Sequence, residues 1–477
     1  MVNYFGPKDF KGHWSPDKKI IYDKKPVESW QCMPVGTGKT GCTVWVPDGL
    51  CLQISHNGCW APDGNLPSIM RIHIDVDGKP FTNSKMYRQE LDLCEAAVKI
   101  QTADLDGDVS VYIIAHTELD VIYLEICDNR NSKGKITIRP EVWRQGMEIE
   151  SVDDFILCTE TNRISGFDEI NLQSGVKKGF IDPIKGLSYG AAIWTDRWLD
   201  RHSDDFIREE GADAKIRVMI AAASGKMSKE DLVHELKNRI KNAVAIPEYD
   251  IKCSHRNSWK CFWDKSRLEL NSASNLQQLR AVWHLNRYFT ASAMAGQFVP
   301  KFNGSIFLYE YDRRCWGGPY WFQNTRLMYW PLFKCGDMEY IRQLFDMYFN
   351  ALEYSKARVT SIYGHEGAIF PETMYFWGGV RIGDAAEGKG IINQYIKSYF
   401  SGSLELLMLM LEYDRYGMDR SFAYDRLFPM AEEILAFFFN HFPIRSGRLF
   451  LEKSSALETW WEADNPADQV AGLMAVM

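Results

Sequence analysis

The sequence predicts an N-terminal antiparallel β-sandwich, a helical linker and a C-terminal helical region that fits a toroid or another large bundle. Three observations lead there. At 477 residues the chain is too long for one ordinary core. The first half alternates apolar and polar residues with a period of two, whereas beyond about residue 270 the apolar residues recur at helical spacing. The expected boundaries are 1–225 for the sandwich, 226–270 for the linker and 271–477 for the toroid.

Taken in order, residues from about 30 to 225 carry the strand pattern. The run 108–128 (DVSVYIIAHTELDVIYLEICD) is rich in β-branched and aromatic residues and is broken by a polar turn, and 135–139 and 215–220 repeat the signal. Asp75-Val76-Asp77-Gly78 and Asn129-Arg130-Asn131-Ser132 supply turns. Ser228-Lys229-Glu230-Asp231 reads as a capping box opening a helix through Ile240. Further on, 276–294 and 337–353 are amphipathic, and 403–411 is apolar nearly all round, as an inner helix would be. Aromatic and glycine-rich loops, 296–322 and 362–386, interrupt these helices; loops of that length inside a domain usually carry function.

Composition narrows the function. A net charge of −8 argues against a nucleic-acid partner, since binding phosphates requires a basic face. No apolar run approaches the roughly 18 to 20 residues that span a bilayer, and the start lacks a signal-like apolar stretch, so no membrane partner is expected. The expected location is the cytoplasm, or a secreted or periplasmic one if the native start lies upstream. Eleven scattered cysteines without a CxxC pair suggest neither a disulfide framework nor a zinc knuckle. Gly36-Thr37-Gly38-Lys39-Thr40-Gly41 resembles a phosphate loop only superficially, because the GxxxxGK[ST] spacing fails and a strand follows.

Two aromatic runs point to sugars. In 315–331 (CWGGPYWFQNTRLMYWP), Trp316, Trp321 and Trp330 offer flat faces for pyranose C–H surfaces, while Gln323, Asn324 and Arg326 offer hydroxyl partners. In the second run, Glu458 stands beside Trp460 and Trp461. A carboxyl desolvated by that flank would hold its proton toward neutral pH and could protonate a glycosidic oxygen; a surface glutamate on a helical first turn would read the same. The loop 363–379 contributes His365, Glu366, Glu372 and Trp377 as a pocket rim. Adjacent His365 and Glu366 rarely converge on one ion, so no metal and no organic cofactor is expected.

Pro34-Val35-Gly36-Thr37-Gly38-Lys39-Thr40-Gly41, then Val44-Trp45 and 54–60 (ISHNGCW), are similar to the P-x-G-N-G-x-x-G opening of proteins related to glycoside hydrolase family 95. Residues 323–331 (QNTRLMYWP) are similar to that family's I-N-x-x-M-N-Y-W-P helix, and Ser455-Ala456-Leu457-Glu458 to its acid segment. The resemblance implies a β-super-sandwich and an (α/α)6 barrel, an inverting mechanism, Glu458 as general acid and Asn324 as a holder of the attacking water. Where the family has a further asparagine two places before Asn324, this chain has Phe322.

The resulting expectation is an exo-acting inverting glycoside hydrolase with an oligosaccharide substrate. A glycoside phosphorylase of similar fold and a non-catalytic carbohydrate-binding protein are the alternatives. About six convincing helices follow residue 270, half of a twelve-helix toroid, and the last begins near Pro466 without an end signal. The resemblance to family 95, whose base comes from a later helix, implies a general base beyond Met477, with Glu366 or Glu372 the alternative bases within this chain.

Overall fold

The computed structural model describes residues 13–15, 18–176, 179–196, 198–200, 205–208, 215–268, 270, 274–380, 394–417, 419–456 and 458–477. Its N-terminal part is an antiparallel sandwich. One sheet has ten strands, running from His13–Ser15 at one edge through Met86–Asp92, Ala97–Asp104, Gly107–His116, Val121–Asp128 and Lys215–Gly225 to Glu148–Val152 at the other. The second has seven, with Ser68–Val76, Leu50–His56 and Thr40–Trp45 among them.

Alternation puts the two faces of the large sheet to different uses. Along Gly107–His116, Val109, Val111 and Ile113 join the core between the sheets, whereas Tyr112 and Ile114 face outward. That outer face is covered by the helix Lys229–Val244, which lays Leu232, Leu236 and Ile240 along it at spacings of four. Ser228 caps this helix by accepting the Asp231 N–H at 3.1 Å, as its sequence foretells, although the helix continues past Ile240 to Val244. A second linker helix, Glu248–Asp264, follows.

The glycines that mimic a phosphate loop have a packing role. A Cβ on Gly36 would lie 2.1 Å from the Ser292 carbonyl oxygen, and the Gly38 N–H, from a residue at φ +90°, donates to that oxygen at 2.8 Å. Two bare backbone positions thus let the sandwich approach the end of the helix Ser274–Ala293.

The C-terminal part is helical. Its principal helices are Ser274–Ala293, Arg342–Asn350, Leu352–Tyr363, Ser401–Arg415, Phe428–His441 and Ala467–Val476. The expected helix over 337–353 is divided: a 3-10 turn, Met338–Tyr340, precedes Arg342–Asn350, and Ala351 (φ −89°, ψ 0°) separates that from Leu352–Tyr363. The apolar segment 403–411 lies within Ser401–Arg415, where Leu404, Leu406, Leu407, Leu409 and Met410 are buried and no residue from 401 to 413 is exposed. The loop expected over 362–386 is described as far as Val380; its remainder lies outside the described residues. Among the described residues no helix is long and apolar enough to cross a membrane.

Candidate active site

Two segments far apart in sequence are stitched together at the site. Tyr320–Trp321 pairs antiparallel with Thr373–Met374, Trp321 opposite Thr373, and the Phe322 N–H donates to the Glu372 carbonyl at 2.8 Å. The strand-like stretch leading to Glu372 is threaded between helices, each of which satisfies part of its backbone. Ser355 Oγ accepts the Ile369 N–H (3.1 Å), Ser403 Oγ accepts the Phe370 N–H (2.9 Å), and the Glu433 carbonyl accepts the Ala368 N–H (2.8 Å).

The close approach to the helix Phe428–His441 is made at Gly367, whose φ is +112° and whose Cβ would stand 2.3 Å from the Phe437 amide nitrogen. Gly367→Ala is therefore expected to cost about 1–3 kcal/mol through strain and displaced backbone. Denaturant unfolding reads it, and a change under 0.5 kcal/mol would contradict this account of the anchor.

The threading buries Glu372. Its side chain is 1% exposed and neither carboxylate oxygen has a well-formed hydrogen bond. Burial first, and the nearby Glu458 charge second, push its pKa up to about 7, with the backbone amide of Gln323 offsetting them only in part. The phenols of Tyr348, Tyr395 and Tyr399 lie within electrostatic reach of the same carboxyl, and burial raises the pKa of each. Tyr395 donates to Gln323 Oε1 at 3.5 Å.

Glu458 occupies a different setting from the one its neighbours suggest. Trp460 and Trp461 are 66% and 51% exposed, and the Trp461 indole N–H donates to the Glu458 backbone carbonyl, closing a turn. The residue itself is exposed. Sequence adjacency to tryptophan therefore does not desolvate it; the desolvated carboxyl is Glu372. The two carboxylates are not hydrogen-bonded to each other, yet the charge on Glu458 is felt at Glu372.

The other candidates divide between the neighbourhood of Glu372 and elsewhere. Trp321 and Gln323 flank the strand pair, and Asn324 is exposed on the helical turn Phe322–Thr325 that follows it. Arg326 Nη1 and Trp330 Nε1 both donate to Glu405 Oε1, each at 2.8 Å. Trp316 is 67% exposed. His365 turns to the helix Phe428–His441, its Nε2 lying 3.0 Å from His441 Nδ1 and its ring near Phe437. Glu366 is exposed beside it, and neither residue is among the charges felt at Glu372. Trp377 stacks on Tyr375 with ring centroids 4.7 Å apart and lines a separate cavity. Among the described residues no three His, Cys, Asp or Glu side chains converge as metal ligands.

Sequence reasoning missed Tyr395, Tyr399, Glu405 and Lys301. Glu405 left a signal: a lone carboxylate in SLELLMLML needs a partner if that helix is buried. Lys301 left none. It is 2% exposed, donates to the Gly318 carbonyl at 2.6 Å and lies 3.8 Å above the Tyr320 ring, bracing the strand that pairs beside Glu372. Burial, with the Arg314 cation adding to it, holds its pKa well below the ordinary 10.5. In the window between that lowered value and 10.5 the unfolded chain binds a proton that the folded protein has released, so stability rises with pH. Lys301→Met should lack this rise. Denaturation curves of both proteins from about pH 7 to 10 test it, and parallel pH dependence would refute it.

Residues 21–154 match the family model described as Domain of unknown function (DUF5703). No curated protein matches the chain. Among solved structures, a human-microbiome protein described as a kojibiose phosphorylase has a TM-score of 0.64 at 13% identity over 93% of this chain and 62% of its own. A bacterial glucoamylase complexed with acarbose has a TM-score of 0.47 at 9% identity over 94% and 63%. The chain thus spans less than two thirds of the length of either. The fold class is a β-sandwich joined to a helical region, and the first of these two structures shares it.

Proposed function

We propose that the protein is a glycoside hydrolase acting on oligosaccharides by an inverting, exo-acting mechanism, related to family 95. The carrying observation is the carboxyl pair: Glu372, buried and pushed to about 7, with the exposed Glu458 in electrostatic reach but not in contact. A buried carboxyl that keeps its proton, beside a second carboxyl in a different setting, is the pattern of acid and base assignment in glycosidases. Glu372 then protonates the leaving oxygen. The exposed Glu458, with Asn324, holds water on the other face of the sugar. This assignment exchanges the role that the family resemblance gives Glu458, because burial, not motif position, keeps a proton at neutral pH. Trp321 and the Tyr395–Tyr399 pair supply ring faces, and Gln323 and Arg326 supply hydroxyl partners.

The fold likeness to a protein described as a kojibiose phosphorylase favours a second reading, in which phosphate replaces the activated water. A screen of neutral di- and oligosaccharides with and without inorganic phosphate separates them. Hydrolysis releases reducing sugar without phosphate, and proton NMR taken early in the reaction reports the inverted anomer. Cleavage that requires phosphate and yields a sugar phosphate would establish the second reading. Binding without any cleavage, unaltered by Glu372→Gln, would leave only a carbohydrate-binding protein.

A further inference from the structure

A second cavity is lined by residues other than the carboxyl pair. It has a volume of about 880 Å³ and opens between the sandwich, at Gly58–Trp60 and Ser224–Lys226, and the helical region, at Met294–Phe298 and along Arg342–Asn350. Neither Glu372 nor Glu458 lines it. Its volume and its place between domains are those of small-ligand sites.

Its walls combine ring faces with charges that are already matched. Trp60 and Phe376 lie with centroids 4.5 Å apart, and Phe298 and Trp377 meet Phe376 edge-on at 5.1 and 5.0 Å. Asp346 takes the Nε of Arg342 (3.3 Å) and of Arg426 (3.0 Å), and Arg342 reaches Asp419 at 2.8 Å. Lys226 is capped by the Asp182 carbonyl at 2.6 Å, and Glu339 pairs with Lys265. Among the described residues that line it, the carboxylates and guanidinium groups are paired with one another or with neighbours and Lys226 is held by carbonyls, so a charged ligand gains little against its desolvation. What remains is apolar ring surface beside the exposed amides of Gln297 and Asn350. That combination suits a neutral polyhydroxylated molecule with apolar C–H faces.

We propose that this cavity is an accessory, non-catalytic binding site for a neutral oligosaccharide, set behind the segment 371–380 that carries Glu372 at its start and Phe376–Trp377 on the cavity wall. The choice of sugar as ligand rests on the carbohydrate reading above. The site itself rests on the cavity.

Calorimetric titration of the Glu372→Gln, Glu458→Gln double variant tests it with neutral gluco-, manno-, galacto- and xylo-oligosaccharides of three to six units. Measuring binding with both carboxyl groups replaced keeps the result independent of whether cleavage occurs. Asn350→Trp and Gln297→Trp, each at an exposed position, fill the cavity without removing a core side chain. The expected result is that at least one neutral series binds and that both fillings weaken it tenfold or more. Circular dichroism checks that the filled variants fold, and Phe376→Ala, which removes a ring instead of adding one, should weaken the same sugar. The proposal is overturned if no neutral series responds to these substitutions, or if only anionic oligogalacturonides or an apolar dye do.

Discussion

Glu372→Gln should lower the rate on an unactivated glycoside by about 10²- to 10⁴-fold, the range for loss of a positioned general acid. On an aryl glycoside with a good leaving group the loss should shrink to a few-fold, because departure then needs no proton. The pH profile supplies an independent reading. The acid works while protonated, so kcat/KM of the wild type should fall as pH rises through about 7, the value to which burial and Glu458 push this carboxyl, and the variant should lack that limb. The substitution should change stability in the opposite sense to activity. Between the ordinary 4.5 and about 7 the folded protein keeps a proton that the unfolded chain has lost, so wild-type stability declines across that window. Glutamine does not titrate, and above pH 7 the variant should be more stable by about 3 kcal/mol. A variant that is less stable at pH 8, or equally active on both leaving groups, would refute the assignment.

Glu458→Gln supplies the contrast. With Glu458 as base, its loss should be severe on good and poor leaving groups alike, and the alkaline limb should move to lower pH because the electrostatic influence of Glu458 that raises the Glu372 pKa is gone. If instead the leaving-group dependence follows Glu458, the two roles are reversed, as the family motif implies.

The sandwich was legible because period-two alternation records burial directly: Val109, Val111 and Ile113 face one way and Tyr112 and Ile114 the other. The Ser228 cap and the buried helix 401–415 were legible for the same reason, local pattern reflecting local environment. The break at Ala351 was not, since the apolar spacing continues through it. Of the candidate residues, Trp321, Gln323 and Glu372 lie together whereas His365 and Trp377 lie elsewhere, and no local pattern distinguishes the two groups. Glu372 could be picked as a rim residue from the glycine-rich loop around it, but its burial comes from the helices bearing Ser355, Ser403 and Glu433, which no local pattern connects to it. Glu458 failed in the opposite sense, because two tryptophans beside a carboxylate desolvate it only if the chain folds them over it. His365 was singled out for a pocket and is occupied by His441, a partner 76 residues away.

The largest stability effect is expected at the buried ion pair that joins the linker to the helical region. Arg287 and Asp337, 2% and 0% exposed, meet through two hydrogen bonds, Nε to Oδ2 at 2.7 Å and Nη2 to Oδ1 at 2.8 Å. Two further guanidinium donors go to the carbonyls of Ser266 (2.8 Å) and Phe262 (3.1 Å), and the group lies 4.4 Å from the Phe262 ring centroid. One cation therefore fastens the end of the helix Glu248–Asp264, the helix Ser274–Ala293 and the turn after Gly336. Asp337→Asn keeps the shape but leaves a buried positive charge without its counter-ion, at a cost of about 3–5 kcal/mol. For a region of roughly 200 residues, each kcal/mol moves the melting temperature by about 2–4 °C, so a fall of around 10 °C is expected. Replacing both partners, Arg287→Met with Asp337→Leu, removes the orphaned charge along with the pair and should recover most of that loss, since apolar groups of similar volume pack as well as a buried ion pair and need no solvation. The pair is not among the groups facing Glu372, so kcat/KM measured well below the melting range should be unchanged in both variants. An Asp337→Asn protein within 1 kcal/mol of wild type would show that the Arg287 charge finds solvent when its partner is lost, and that the joint is looser than its hydrogen bonds imply.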